Sequence, residues 1–106
     1  MTETTTIGKL VMLYRKYKAL DVKDFGAKMF LTGDTATKLE SSRDDELSDY
    51  SLFRLYQFFS ATVGVKDLRE LKAMTLIANT VRAEMRKRAT AKVASEMVDD
   101  DYWIGA

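Results

Sequence analysis

Cysteine, histidine and proline are all missing from these 106 residues, and glycine occurs five times. Without cysteine there is no disulfide and no thiol nucleophile. Without histidine the usual zinc sites and every Ser/His or Cys/His relay are excluded as well. Acid–base chemistry would fall to carboxylates or lysine, and no paired acidic constellation sits beside a plausible pocket. An enzyme is therefore the weakest reading, and no catalytic residue, metal ligand or cofactor is assigned. No apolar run approaches the roughly 18 residues of a membrane span. The opening MTETTT lacks the basic start and apolar centre of a signal peptide, so a cytoplasmic protein with no membrane partner is expected. Scarce chain breakers favour helix throughout.

What is present is ordinary in amount and uneven in placement. With 46% hydrophobic and 31% charged residues, the chain suits one domain with a modest core and an appended element. Net charge is only +1, so no bulk field marks a nucleic-acid binder. Yet Arg82, Arg86, Lys87, Arg88 and Lys92 crowd one late segment, and Glu96, Asp99, Asp100 and Asp101 crowd the next.

Apolar residues Ile7, Leu10, Val11, Tyr14 and Tyr17 recur at spacings of three and four, with Leu13 widening the stripe, and predict a helix over 6–18. The stretch from Ala19 to Ser42 reads as two short helices, 22–29 and 33–40, joined by a tight corner. Asp21 caps the first, in which Phe25 and Met29 share a face with small Gly26 and Ala27 beside them. Thr32 caps the second, whose inner face is Thr35, Ala36 and Leu39. A small residue in the middle of the first helix lets the second cross it closely, as a helix-turn-helix must to push its second helix into a DNA groove.

A polar connection over 41–47 leads to Ser48, which caps a fourth helix with Leu52, Leu55, Tyr56 and Phe59 facing inward, ending before Gly64. Its aromatics, Phe53, Tyr56, Phe58 and Phe59, sit at helical spacing between aliphatics, which favours a core over a platform for stacked bases. Phe53 or Phe58 is left to face the long helix or a second subunit. From Lys66 to about Val98 nothing breaks a helix, a length of nearly 50 Å at about 1.5 Å per residue. One helix, or two meeting near Asn79 or Arg88, fits that run. A stripe so long needs a partner, and Leu68, Leu71, Met74, Ile77, Val81 and Met85 are the expected dimer surface. The expected division is 1–62, 65–98 and an acidic, aromatic tail at 99–106.

Taken in order, Ile7-Gly8, Arg15, Leu20-Asp21, Phe25-Gly26, Thr32, Thr35, Leu39, Glu40 and the LFRLYQFF run at 52–59 resemble the Cro/C1-type (lambda-repressor-like) helix-turn-helix family of bacterial and phage regulators. The resemblance covers residues 7–60, about half of the chain. It implies an all-α fold, a lambda-repressor-like helix-turn-helix bundle of four helices followed by the long C-terminal helix or pair of helices. It also implies a sequence-specific DNA-binding regulator, and pairing of Glu40 with Arg15. Three positions depart from the family pattern. The corner glycine is Phe30, so the corner is expected to be reshaped, because a left-handed conformation costs a non-glycine residue about 1–2 kcal/mol. The residue after the first cap is Val22, which cannot hydrogen-bond as the family's glutamine does. The exposed face of the second helix carries Gly33, Asp34, Thr37 and Lys38, with neither arginine nor glutamine.

Arginine and Asn/Gln make the bidentate base contacts that carry most major-groove discrimination. Thr37 could instead donate to a base edge or touch a thymine methyl, and Lys38 could reach phosphate or guanine. Asp34 suits a cytosine amino group or its own helix N-terminus. A reader so poor in strong contacts leans on phosphate binding and DNA shape. The expected groove residues are Thr32, Gly33, Asp34, Thr37 and Lys38, with Lys23, Lys28 and Arg43 on phosphates; Lys16 and Lys18 also surround the motif. Double-stranded DNA and a second copy of the chain are the expected partners, the protein acting as a homodimer. The alternative is a protein-interaction module on the same scaffold, such as an antitoxin or anti-repressor, whose long helix grips another protein. The basic run at 82–92 has three readings: a solvated face, a second contact to the DNA backbone, or the counterpart of the acidic tail. With Tyr102, Trp103 and Ile104 in that tail, it is expected to cover the basic run, within the subunit or across a dimer. A cation site at 99–101 is the weaker use of those carboxylates.

Overall fold

The computed structural model describes residues 5–99, with side chains as far as Ala94. Among the described residues there are five α-helices, one short 3-10 turn and no strand. Helix α1 runs Ile7–Tyr17, α2 Val22–Lys28, α3 Gly33–Ser41, α4 Asp49–Ser60 and α5 Leu68–Asp99, with the 3-10 turn at Asp44–Glu46. The starts of these helices are fixed by short polar side chains that satisfy orphan amides. Thr6 accepts from Lys9 N, Asp21 from Lys23 N, Thr32 from Thr35 N and Ser48 from Ser51 N. The carboxylate of Asp67 does the same for α5, accepting from Arg69 N at 3.0 Å.

The core gathers Ile7, Val11 and Tyr14 from α1, Phe25 from α2, Leu39 from α3, Leu52, Leu55 and Phe59 from α4, and Ile77 and Val81 from α5. At its centre Tyr14, Phe25, Phe58 and Phe59 hold ring centroids 5.0 to 6.3 Å apart, mostly edge to face. That geometry suits the ring quadrupoles. The two phenylalanines of α4 at 58 and 59 are thus interior packing, whereas Phe53 is 46% exposed.

α5 is one continuous helix through Asn79 and Arg88. Its expected dimer stripe divides, and this corrects the reading from periodicity. Met74, Ile77 and Val81 are buried in the chain's own core, Met85 packs against it and Leu71 is half-buried. Only Leu68, at 62% exposure, stands clear among these six. α1 and α4 leave a trough that the first half of α5 fills, and filling it within one chain avoids the entropy of association. That half of α5 therefore belongs to the same core as residues 7–60 rather than to a separate unit beginning at 65. Polar contacts pin it at both ends. Glu70 accepts from Tyr14 Oη at 2.7 Å and from Lys18 Nζ at 3.1 Å. Arg88 donates to Glu84 at 2.9 Å, Asp49 at 2.9 Å and the Asp44 carbonyl at 2.8 Å. Beyond Arg88 the helix leaves the body, and every residue from Ala89 to Ala94 is exposed. No helix among the described residues is long and apolar enough to cross a membrane.

Candidate functional site

Helices α2 and α3 cross at two small residues. A Cβ on buried Gly26 would lie 2.7 Å from the Cβ of Ala36, so only glycine permits this approach. The corner between them is closed by backbone bonds, Phe30 N to the Ala27 carbonyl at 3.0 Å and Leu31 N to the Gly26 carbonyl at 2.9 Å. Phe30 sits there with φ of +58°, so the corner keeps its left-handed residue and is not reshaped around phenylalanine. Its ring is 72% exposed and lies against the Arg54 guanidinium, 4.8 Å from the ring centroid. Arg54 also stands 5.1 Å from the Tyr50 ring and 5.9 Å from that of Phe53. A cation over several rings gains about 0.5–1 kcal/mol per exposed contact, which offsets part of the backbone cost.

α3 is fastened to α1 from behind. Arg15 grips Glu40 with two bonds, Nε to Oε2 at 2.6 Å and Nη2 to Oε1 at 2.9 Å, and donates a third to the Leu20 carbonyl at 2.9 Å. Hydrogen bonding by Glu40 raises the Arg15 pKa above its ordinary value. A Cβ on Gly8 would run into the Leu39 carbonyl oxygen, so the start of α1 also lies directly against the end of α3. Ala36 and Leu39 are buried by this arrangement, and the opposite side of α3 is open.

On that open side Thr32, Asp34, Thr37 and Lys38 are exposed. Gly33 is half-buried, because the stem of Lys23 lies along it; a Cβ there would meet Lys23 Cγ at 3.1 Å. Lys23 is thereby brought to the N-terminal end of α3, where a phosphate would also meet free amides. The Thr37 hydroxyl donates to the Gly33 carbonyl at 2.8 Å, which leaves its methyl and oxygen lone pairs, and not its proton, for a partner. Among the described residues Lys23, Lys28 and Lys38 form no ion pair. Arg43 is turned to Asp45 at 3.4 Å and Glu46 at 3.7 Å, exposed pairs of the kind a polyanion displaces readily. Lys18 is drawn to α5 by Glu70 and does not join this group.

Two further findings bear on the charged segments. Arg88 is engaged by Glu84, Asp49 and Asp44, so the basic run at 82–92 is smaller than its count of charges, while Arg82, Arg86, Lys87 and Lys92 are exposed. The tail from Asp100 onward lies outside the described residues, as do the side chains of Glu96 and Asp99. The Arg54 cluster was not singled out from the sequence. Tyr50 and Arg54, four apart on one helix, were a visible local pair, but Phe30 joins them from another element. Comparison of the chain with protein-family models, with curated proteins and with solved structures finds no match.

Proposed function

We propose that this chain is a sequence-specific DNA-binding regulator of phage or bacterial type, a lambda-repressor-like helix-turn-helix protein that binds a two-fold operator as a homodimer. The observation that carries this reading is the disposition of α3. Its apolar side is consumed by Ala36 and Leu39, its end is anchored through Arg15 and Glu40, and its polar side stands open beside lysines that form no ion pair among the described residues. In this reading α2 is the first helix of the motif and α3 enters the major groove, with Thr37 offering its methyl to thymine and Lys38 reaching a base or phosphate. Lys23, Lys28 and Arg43 hold phosphates, and DNA shape supplies much of the discrimination. Two copies would set their α3 helices at half-sites about 34 Å apart or a multiple of that. Regulation follows by occluding a promoter or by touching polymerase.

A second reading has one observation in its favour. Phe30, Tyr50 and Phe53 form an exposed aromatic patch around Arg54, which suits a protein-interaction module of the antitoxin or anti-repressor kind. Selection of bound sites from random DNA, followed by competition with unselected DNA, separates the two. A sequence reader enriches a two-fold site, and Lys38→Glu lowers affinity for it by at least about tenfold, the loss of one good base or phosphate contact. Because Lys38 is exposed, its thermal midpoint stays unchanged. Equal binding of selected and random DNA, with a steep salt dependence, is the result that removes the proposal.

A further inference from the structure

Between α1 and the start of α5 runs an apolar groove of about 370 Å³, lined by Leu10, Leu13, Tyr17, Arg69, Ala73 and Leu76 among others. Leu13, Tyr17 and Leu76 are 52%, 48% and 54% exposed. One such side chain needs no explanation, but three sharing a trough mark an interaction surface. The rim is basic. Helical spacing sets Lys9 and Lys16 beside Leu13 on α1 and Lys72 beside Leu76 on α5, with Arg69 in the wall. The nearby acids are engaged, Glu70 by Tyr14 and Lys18 and Asp67 by Tyr17.

We infer that this groove receives the C-terminal end of α5 from a second copy of the chain, the two α5 helices crossing antiparallel about a two-fold axis. The inference rests on the two-subunit part of the proposed function and needs no DNA. Four observations select this occupant. Trp103 of the same chain cannot reach the groove. α5 advances about 35 Å from Leu76 to Asp99, and Trp103, four residues further, recovers at most about 14 Å. The arriving segment is complementary in charge, since Glu96, Asp99, Asp100 and Asp101 are acidic and the rim is lysine and arginine.

The spacing along α5 fits as well. Ala73, at the edge of the core, with Leu76, Thr80 and Ala83 begins a seam of alternating three- and four-residue steps that continues through Lys87, Thr90 and Ala94 along the more exposed side of α5. An axis near residue 85 sets Leu76 against Ala94 and Ala83 against Lys87. The same register brings Arg69 and Lys72 to the acidic end of the partner helix. Finally, the groove faces away from α3. Gly8 and Arg15, which touch α3, lie on the opposite side of α1 from Leu13 and Tyr17, so the docked copy leaves the polar side of α3 open.

The chain has no cysteine, so Leu76→Cys with Ala94→Cys introduces two thiols and no others. Within one helix they stand about 27 Å apart, beyond the span of a short bifunctional maleimide. Covalent dimers from the double variant, and none from either single variant, are expected. Dimers from Leu76→Cys alone mean parallel helices and overturn the inference, as does the absence of dimers from every variant. Light scattering on the full chain is expected to give twice the 12.1 kDa chain mass. Arg69→Glu with Lys72→Glu should lower it to one chain, and adding Asp99→Lys, Asp100→Lys and Asp101→Lys should restore the dimer. A monomeric native chain, with the tail held on its own 82–92 segment, overturns the inference. A monomer that still selects a DNA site sinks this inference and the two-subunit part of the proposed function but leaves its DNA-binding part standing, whereas a cross-linked dimer that selects none sinks the DNA-binding part alone.

Discussion

Helix α3 and the first half of α5 each bury one side and expose the other, and the fold uses the two helices differently. In α3 the apolar side is fully consumed, Ala36 and Leu39 lying in the core, and what remains outside is hydroxyls, Asp34 and Lys38. In α5 burial extends as far as Met85, Arg88 makes the last contact to the body, and the residues from Ala89 to Ala94 are all exposed. Length makes the difference. Nine residues span about 14 Å and fit within a small domain, whereas the 32 of α5 span about 48 Å and overrun it. An amphipathic stripe therefore says that a helix packs, but leaves open what it packs against and for how much of its length.

The largest expected effect lies along α5 itself. Ile77→Ala, at a fully enclosed site, should cost about 3 kcal/mol in urea unfolding, while Val93→Ala beyond the body should change stability by less than about 0.5 kcal/mol. Equal costs for the two would break the division of α5 into a half inside the chain's own core and a half beyond it. The corner that launches α3 gives the next effect. At position 30, glycine should be more stable than alanine by about 1 kcal/mol, the reverse of their order inside a helix, because the left-handed backbone penalises any Cβ. Alanine ahead of glycine there would mean that the φ of +58° at Phe30 is not kept in solution.

A smaller effect sharpens how α5 is held. Hydrogen bonds from Tyr14 and Lys18 keep the Glu70 carboxyl below the ordinary carboxylate range. A carboxylate whose pKa is depressed by folding contributes stability above its unfolded pKa and loses it as pH falls through its folded one. Tyr14→Phe should therefore lower stability by about 1 kcal/mol at pH 7, with the gap to the native chain closing as Glu70 protonates in acid. Thermal midpoints across the acid range check this, and a gap that stays constant would show that Glu70 is not the acceptor.

How much was legible follows from how far apart the interacting residues are. Asp21, Thr32 and Ser48 act as caps within two or three positions of themselves, so residue type and order were enough to place the starts of α2, α3 and α4. The pairing of Arg15 with Glu40, 25 positions away, came only through family resemblance. Arg88 looked like one more member of a basic run, because nothing near position 88 announces the Asp44 carbonyl 44 positions earlier. Most of the stripe expected to face a second subunit lies in the chain's own core for the same reason. Met74, Ile77 and Val81 repeat as a seam between subunits would, and the trough between α1 and α4 that takes them exists only once those helices have packed.

The amino-acid order alone determined an all-helical chain, the capped starts of its short helices and the close α2–α3 crossing at Gly26, because these depend on neighbours along the backbone and on the space a missing side chain leaves. Tertiary structure alone decided that Phe30 keeps its left-handed turn beneath Arg54, that half of α5 closes the core, and that a basic-rimmed apolar groove stays open behind α3. Each of these is set by surfaces from distant segments competing for the same water-free space, and that competition has no local signature.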